Sequence, residues 1–244
     1  MDRLRKQTGG SKTSLNPIGG IRFTPTPDLS FHLALSRKSR FPSMRSLYST
    51  SGGNPLLKPE IGTTVEAGAD WVGPFEGSLA IFSTEIEDLI YSVRQPSGTK
   101  TYINIGKASI KGFEVGVGKS VGLFDVRANY TFLDTKNKDE DRRLDLIPQS
   151  EFSLIAGFGR PGDYHLALWG IAASSSEVII SGAAVTSPAY VVAEASFEKY
   201  FGRFSVYVKM ENIFDKFYVT EPGYPMAGRR FEAGFRVRLG RSGL

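Results

Sequence analysis

Residues 211–239 read ENIFDKFYVTEPGYPMAGRRFEAGFRVRL. The stretch is a strand end, a long polar and aromatic loop, and a closing strand from Arg229 to Leu239. In the closing strand Phe231, Ala233, Phe235, Val237 and Leu239 share one face, and Glu232, Gly234, Arg236 and Arg238 share the other. This is period-2 alternation, which sends successive side chains to opposite sides of a strand. Two settings want such a strand: the rim of a soluble β-sandwich, or a barrel with lipid outside and water inside.

The same pattern runs upstream. Strands are expected at 16–24, 29–37, 61–72, 77–91, 102–119, 123–134, 149–158, 164–172, 189–199 and 204–212, which with the closing strand makes about eleven. Phe124, Val126, Ala128, Tyr130 and Phe132 oppose Asp125, Arg127, Asn129 and Thr131; Phe204, Val206, Val208 and Met210 oppose Ser205, Tyr207, Lys209 and Glu211. Most of these strands are near the ~9–11 residues that cross a bilayer. No helix-period segment of useful length appears. The segments 38–60 and 173–188 read as irregular, although Val178, Ile179 and Ile180 could carry a strand into the second.

The connections separate the two settings. Tight turns near 25–28, 73–76, 120–122, 159–163 and 201–202 alternate with long connections at 38–60, 92–101, 135–148, 173–188 and 213–227. Outer-membrane barrels interleave short periplasmic turns with long extracellular loops, and a sandwich has no reason to. Tyr91, Tyr130, Phe158, Tyr164, Tyr190 and Tyr200 near strand ends fit interfacial girdles. The fold expected is all-β, an up-and-down antiparallel transmembrane β-barrel of about 10–11 strands, open or a half barrel, over residues 16–240, with residues 1–15 a polar tail or loop remnant. The closing strand then runs toward the periplasm. An odd count cannot close antiparallel on itself, so the sheet is expected to be part of a larger barrel.

Composition limits the function classes. The chain has 244 residues, no Cys and a net charge of +5, with its basic residues dispersed, which speaks against nucleic acid as a partner. Zero Cys excludes disulfides and thiolate metal sites. The basic N-terminus has no apolar core and is not expected to be a secretory signal. No run of about 18 apolar residues exists, so no transmembrane helix is expected. No nucleophile, base and orienting acid are spaced for hydrolysis, and no Gly-rich phosphate loop follows a strand; the protein is not expected to be an enzyme or to need a cofactor.

Several segments resemble TonB-dependent outer-membrane receptors, most of all the cobalamin and siderophore types. Asn54, Pro55, Leu57, Pro59 and Glu60 resemble their N-P-x-L-x-P-E segment. Tyr102, Asn104, Gly106 and Ala108, followed by Gly112 and Glu114, resemble their Y-x-N-x-G-x-A…G-x-E strand, and Asn129–Asp134 the strand after it. Asn212, Phe214, Asp215, Lys216 and Tyr218, with Gly223, Tyr224, Gly228 and Arg229, resemble the final N-L-F-D-K-x-Y…G-Y…G-R segment. Such receptors have a barrel of about 22 strands, a plug and a TonB-contacting segment. The resemblance covers only the last half of that barrel, with no counterpart of plug or signal. It implies the outer membrane of a Gram-negative bacterium, membrane lipid as surroundings, and uptake of a scarce bulky nutrient: siderophore, haem or cobalamin. TonB coupling is implied for the full-length family member, and the chain alone is not expected to be an energised transporter. The alternative is a freestanding outer-membrane sheet or barrel that only binds. One departure is the end, where Leu239 stands in place of the family's usual terminal aromatic.

The candidate ligand-facing residues are Arg142 and Arg143 in the charged loop, Tyr218 and Tyr224 in the last loop, and Glu114 on the polar wall. Each has a structural reading too: a solvated charged loop for the arginines, strand-to-loop exit for Asn212, Asp215 and Tyr218, and wall lining for Glu114. Asp139, Glu140 and Asp141 lack the spacing of a calcium loop, and His32 and His165 have no sequence neighbours to share a metal.

Overall fold

The structure, a computed structural model, describes residues 13–94, 98–180 and 182–239. Most of the expected N-terminal tail (residues 1–12), Pro96 and Ser97 of the 92–101 loop, and Arg241–Leu244 lie outside the described residues.

Eleven strands form one antiparallel sheet. In chain order the elements are β1 (Ile18–Thr26), β2 (Leu29–Arg40), α1 (Met44–Tyr48), β3 (Glu60–Val72), β4 (Glu76–Arg94) and β5 (Lys100–Val121). There follow β6 (Phe124–Asn137), β7 (Ser150–Arg160), β8 (Tyr164–Ala173), β9 (Ser176–Ile180), β10 (Ala183–Ser187), β11 (Tyr190–Phe201), β12 (Phe204–Glu211), β13 (Val219–Glu221), β14 (Tyr224–Pro225) and β15 (Arg230–Val237). The sheet order is β1-β2-β3-β4-β5-β6-β7-β8-β11-β12-β15, so every neighbour in space is the next long strand in sequence. The pairs β9–β10 and β13–β14 are small separate hairpins. The sheet does not close: β1 and β15 each pair on one side only and run in the same direction.

Each of the eleven expected strands is present; β12 and β15 are shorter than expected, β1 is shifted by two residues, and the other eight are longer by one to four residues. Those eight lengthen because the ladder persists past the point where alternation in the sequence stops. In β4 and β5, for example, the register continues to Arg94↔Lys100. Two expectations are corrected. The 38–60 segment is not wholly irregular: Ser43 caps the short helix α1, its Oγ accepting from the Ser46 N–H at 3.1 Å. The Ser-rich 173–188 segment forms the β9–β10 hairpin, in which Val178 pairs with Val185.

The register aligns the apolar residues into continuous rows. Leu33, Ala67, Ile81, Phe113 and Phe132 lie side by side across β2 to β6. Val117, Ala128, Leu154, Gly170 and Ala193 do so across β5 to β11. These rows are not covered by protein: Leu33, Ile81 and Val117 are 47%, 57% and 45% exposed. A contiguous apolar face of this size is not left against water by a soluble protein. Aromatic pairs gather at its two ends. Trp71–Phe75, Phe124–Phe158, Phe158–Tyr164 and Phe201–Phe204 sit at the short-turn end. Phe113–Tyr130, Phe113–Phe132 and Tyr190–Tyr218 sit toward the long connections. Two aromatic girdles bracketing an apolar band are the mark of a β-sheet wall in a bilayer.

The opposite face is polar and cross-linked. Arg22 binds Asp70 at 2.6 Å, Arg236 binds Glu198 at 2.6 Å, and Lys209 bridges Glu194 and Glu211 at 2.9 and 2.7 Å. Ser205 donates to Glu198 and Tyr207 to Glu232, at 2.6 and 2.7 Å. Tight turns suit the strand reversals: Gly122 and Gly202 adopt φ of 60° and 66°, open to glycine without a Cβ penalty, in two-residue hairpins.

Candidate functional site at the long-connection end

Among the described residues buried apolar side chains are few, and a cluster of them lies beyond the band. Ile105, Ala108 and Leu144 form it, with Ile86, Leu89, Tyr91, Ile103, Ile110 and Ile147 packed around. Its frame is the β4–β5 hairpin. β3 follows β4 only to Ile61↔Glu87, and β6 follows β5 only to Ala108↔Asn137. Past these points β4 and β5 pair with each other alone, from Leu89↔Ile105 to Arg94↔Lys100. At ~3.3 Å per residue the hairpin stands roughly 20 Å clear of its neighbours. A lone hairpin is marginal in water, so it needs partners.

The segment 54–60 supplies them by bonding to backbone. The Asn54 side chain donates to the Tyr102 carbonyl at 3.0 Å and accepts from the Leu56 N–H at 3.0 Å. Asn104 reaches back: it accepts from the Lys58 N–H at 2.8 Å and donates to the Lys58 and Asp88 carbonyls at 3.1 and 2.6 Å. Glu60 is 7% exposed, takes the Arg40 guanidinium with both oxygens at 2.5 Å, and accepts the Ile90 N–H at 2.7 Å. Pro55 and Pro59 flank these bonds and need no N–H partner of their own. On the other side of the hairpin Asp139 accepts the Gly106 N–H at 2.5 Å. Gly112 lies where β5 and β6 approach closely: a Cβ there would run into the Phe132 carbonyl and the Phe82 ring.

The 138–149 loop folds over this frame. The Asp145 N–H donates to the Tyr91 hydroxyl at 2.9 Å, and the buried Thr135 hydroxyl accepts the Leu144 N–H at 3.3 Å. Arg142 binds Glu140 and Asp145 and donates to the Arg143 carbonyl at 3.2 Å. Burial pulls its pKa down, but the bonds to Glu140 and Asp145 outweigh burial and hold it above the usual guanidinium value. Arg143 donates to the Leu133 carbonyl at 3.1 Å.

Two adjoining recesses result. One, ~270 Å³, lies between Tyr91, Lys100, Asp145, Ile179 and Glu221. The other, ~390 Å³, lies between Arg142, Arg143, Asp145, Ser176 and Glu177. Lys100 and Glu221 close the first with an ion pair at 2.8 Å. Together they form a vestibule of mixed polar and apolar lining, rimmed by four separate connections.

The sequence candidates are not gathered into one place. Arg142 and Arg143 line the second recess. Tyr218 stacks on Tyr190 at 4.7 Å, and Tyr224 stands exposed in β14. Glu114 sits on the polar wall in register with Ala80 and Thr131. Asn212, 4% exposed and at φ 48°, donates to the Lys216 and Ala227 carbonyls at 2.9 and 3.1 Å and accepts the Lys216 N–H at 2.9 Å. Asp215 accepts the N–H of Arg229, next to Gly228, at 2.8 Å; Arg229 donates to the Ile213 carbonyl at 3.0 Å. Phe214 points out, 64% exposed. Tyr91, Lys100, Ile179 and Glu221 are vestibule residues that sequence reading missed. Lys100 and Glu221 are 121 positions apart, and no local pattern joins them. Among the described residues no three His, Asp or Glu side chains gather to hold a metal.

The fold defines a class first: a meander of antiparallel strands with a lipid-facing side, a polar side, short turns at one end and structured loops at the other, which is an outer-membrane β-barrel wall. The comparisons then place it. Residues 2–213 match the family model described as TonB dependent receptor-like, beta-barrel, and the chain belongs to that family. Its barrel lies in the Gram-negative outer membrane, and its members are transporters, not enzymes. The chain is 28% identical to the vitamin B12 transporter BtuB of Vibrio vulnificus over 141 residues, 57% of this chain and 23% of that protein. It is 25% identical to the hemin receptor of Yersinia pestis over 241 residues, 86% of this chain and 36% of that one. The ferric enterobactin receptor of Pseudomonas aeruginosa has the same fold at TM-score 0.74 and 16% identity, over 91% of this chain and 40% of that one. The chain thus spans well under half the length of these relatives.

Proposed function

We propose that this chain supplies the barrel wall and loop vestibule of an uptake receptor for a scarce, bulky nutrient, of the corrinoid, ferric siderophore or haem class, whose release into the lumen is coupled to TonB. The observation that supports this most is the vestibule: two adjoining recesses rimmed by four connections, the first of them floored by the β4–β5 hairpin. The reading also draws on relatives named for vitamin B12, hemin and ferric enterobactin. Arg143 is the cation best placed to meet an anionic ligand; Arg142 is already spent on Glu140 and Asp145, and Lys100 on Glu221.

The test is a binding titration on outer-membrane vesicles carrying the chain, with cyanocobalamin, a ferric catecholate and haemin in turn. One of the three is expected to bind saturably, and the Arg143→Ala variant to weaken it about tenfold, the size of one charge-assisted bond. Saturation by none of the three overturns the reading and leaves a freestanding adhesive sheet.

A further inference from the structure

The apolar face carries a notch that transport does not use. Tyr130, Phe152, Ala172 and Val191 stand in one row across β6, β7, β8 and β11. Toward the long connections the next positions turn small, with Ser150, Ser174 and Ala189 in the lining. The result is a recess of ~660 Å³ with an almost wholly apolar surface, overhung by Phe214 from the last loop. Lys216 stands at its rim. The Asn212 side chain bonds both the N–H and the carbonyl of Lys216, which fixes where that side chain starts. Among the described residues no carboxylate pairs with the Lys216 ammonium, whereas Lys100, Lys138, Lys199 and Lys209 all have one.

We propose that this notch seats an acyl chain of a phosphorylated, multiply acylated lipid of the outer leaflet, with the lipid phosphate on Lys216. Three observations converge. The notch opens on the face that lies against lipid, so its natural filling is hydrocarbon. It sits beside the Tyr190–Tyr218 stack, at the level of an aromatic girdle where headgroups begin. Its single unpaired cation is at the headgroup side of the recess, where a phosphate is drawn to an uncompensated lysine. Phe214, otherwise an exposed aromatic on a loop, becomes a wall of the site.

The full chain, reconstituted into phosphatidylethanolamine vesicles doped with diphosphoryl lipid A, is captured in mild detergent and the lipid it retains is quantified per chain by mass spectrometry. Lipid A is expected to be retained roughly tenfold over its dephosphorylated form. Lys216→Gln should remove that preference and Lys216→Arg keep it, while Ala172→Phe, which fills the notch, should lower retention of both forms. Excess inorganic phosphate should displace neither. Equal retention of the two forms by the unmodified chain overturns the proposal whatever the variants do. Displacement by free phosphate also overturns it, since the site would then recognise the anion and not the lipid.

Discussion

Asn212 shows how much of this fold hangs on single polar side chains. It holds a left-handed backbone, is buried, and satisfies two carbonyls and one N–H of the 212–229 connection. Replacing it with Ala strands those groups and adds backbone strain, at about 1–3 kcal/mol for buried unsatisfied groups plus about 1 kcal/mol for the strain. Asn212→Ala should therefore lower the urea midpoint of the folded, heat-modifiable gel band; Asn212→Gly, freed of the strain but not of the lost bonds, should fall between. Glu60 gives a paired case. Glu60→Ala leaves both the Ile90 N–H and Arg40 without their carboxylate, and should cost about 2 kcal/mol. Arg40→Ala leaves the Ile90 bond in place but strands the buried Glu60 carboxylate without its cation, so it should cost at least as much in the same assay. These roles were partly legible in sequence. Asn and Asp at a strand exit bond nearby backbone, and Asn212 and Asp215 do so. That Asn104 would tie two carbonyls and an N–H from separate segments was not, because its partners are 16 and 46 residues away.

Elements were the most readable scale. Period-2 alternation located every long strand, because side-chain direction in a strand depends only on local backbone geometry. Where the structure adds elements, the local signal is short. α1 has five residues, too few for a helical period to show, and is specified by its Ser43 cap. β9 and β10 pair through Val178 and Val185 inside a Ser-rich stretch whose composition argues for loop. The two faces of the sheet make opposite demands, which one comparison can expose. Leu154 lies in the middle of the apolar band and Ser153 next to it on the polar face, within reach of Asn129. Leu154→Arg should destabilise the sheet in phospholipid vesicles by about 2–4 kcal/mol, as a charge near the bilayer midplane does. Ser153→Arg should change it by less than about 1 kcal/mol, since lumen-side substitutions keep their charge in a polar setting. Equal effects, read from the fraction folded against urea, would contradict the assigned sidedness.

At the scale of the molecule, the strand order and the division into an apolar and a polar face could be foreseen, and the vestibule could not. Its parts come from connections far apart in the chain, and the Lys100–Glu221 pair that joins two of them exists only once the sheet has brought the connections to one end. The open sheet has its own consequence. β1 and β15 present unpaired edges and run parallel, so they cannot seal to each other antiparallel. The isolated 244-residue chain should therefore elute from size exclusion in detergent as a spread of associated species; a sharp monomer with full β-sheet circular dichroism would contradict this. The hairpin that overtops its neighbours is guyed on one side by Asn54, Asn104 and Glu60 and on the other by Asp139. Nearer the tip the Lys100–Glu221 ion pair adds one more tie, so the stem is braced along its length and can act as a display mast. A short epitope tag inserted after Gly98 should be labelled by antibody on intact cells while the chain beneath keeps its folded gel mobility, which would make this hairpin a carrier for foreign peptide on a bacterial surface.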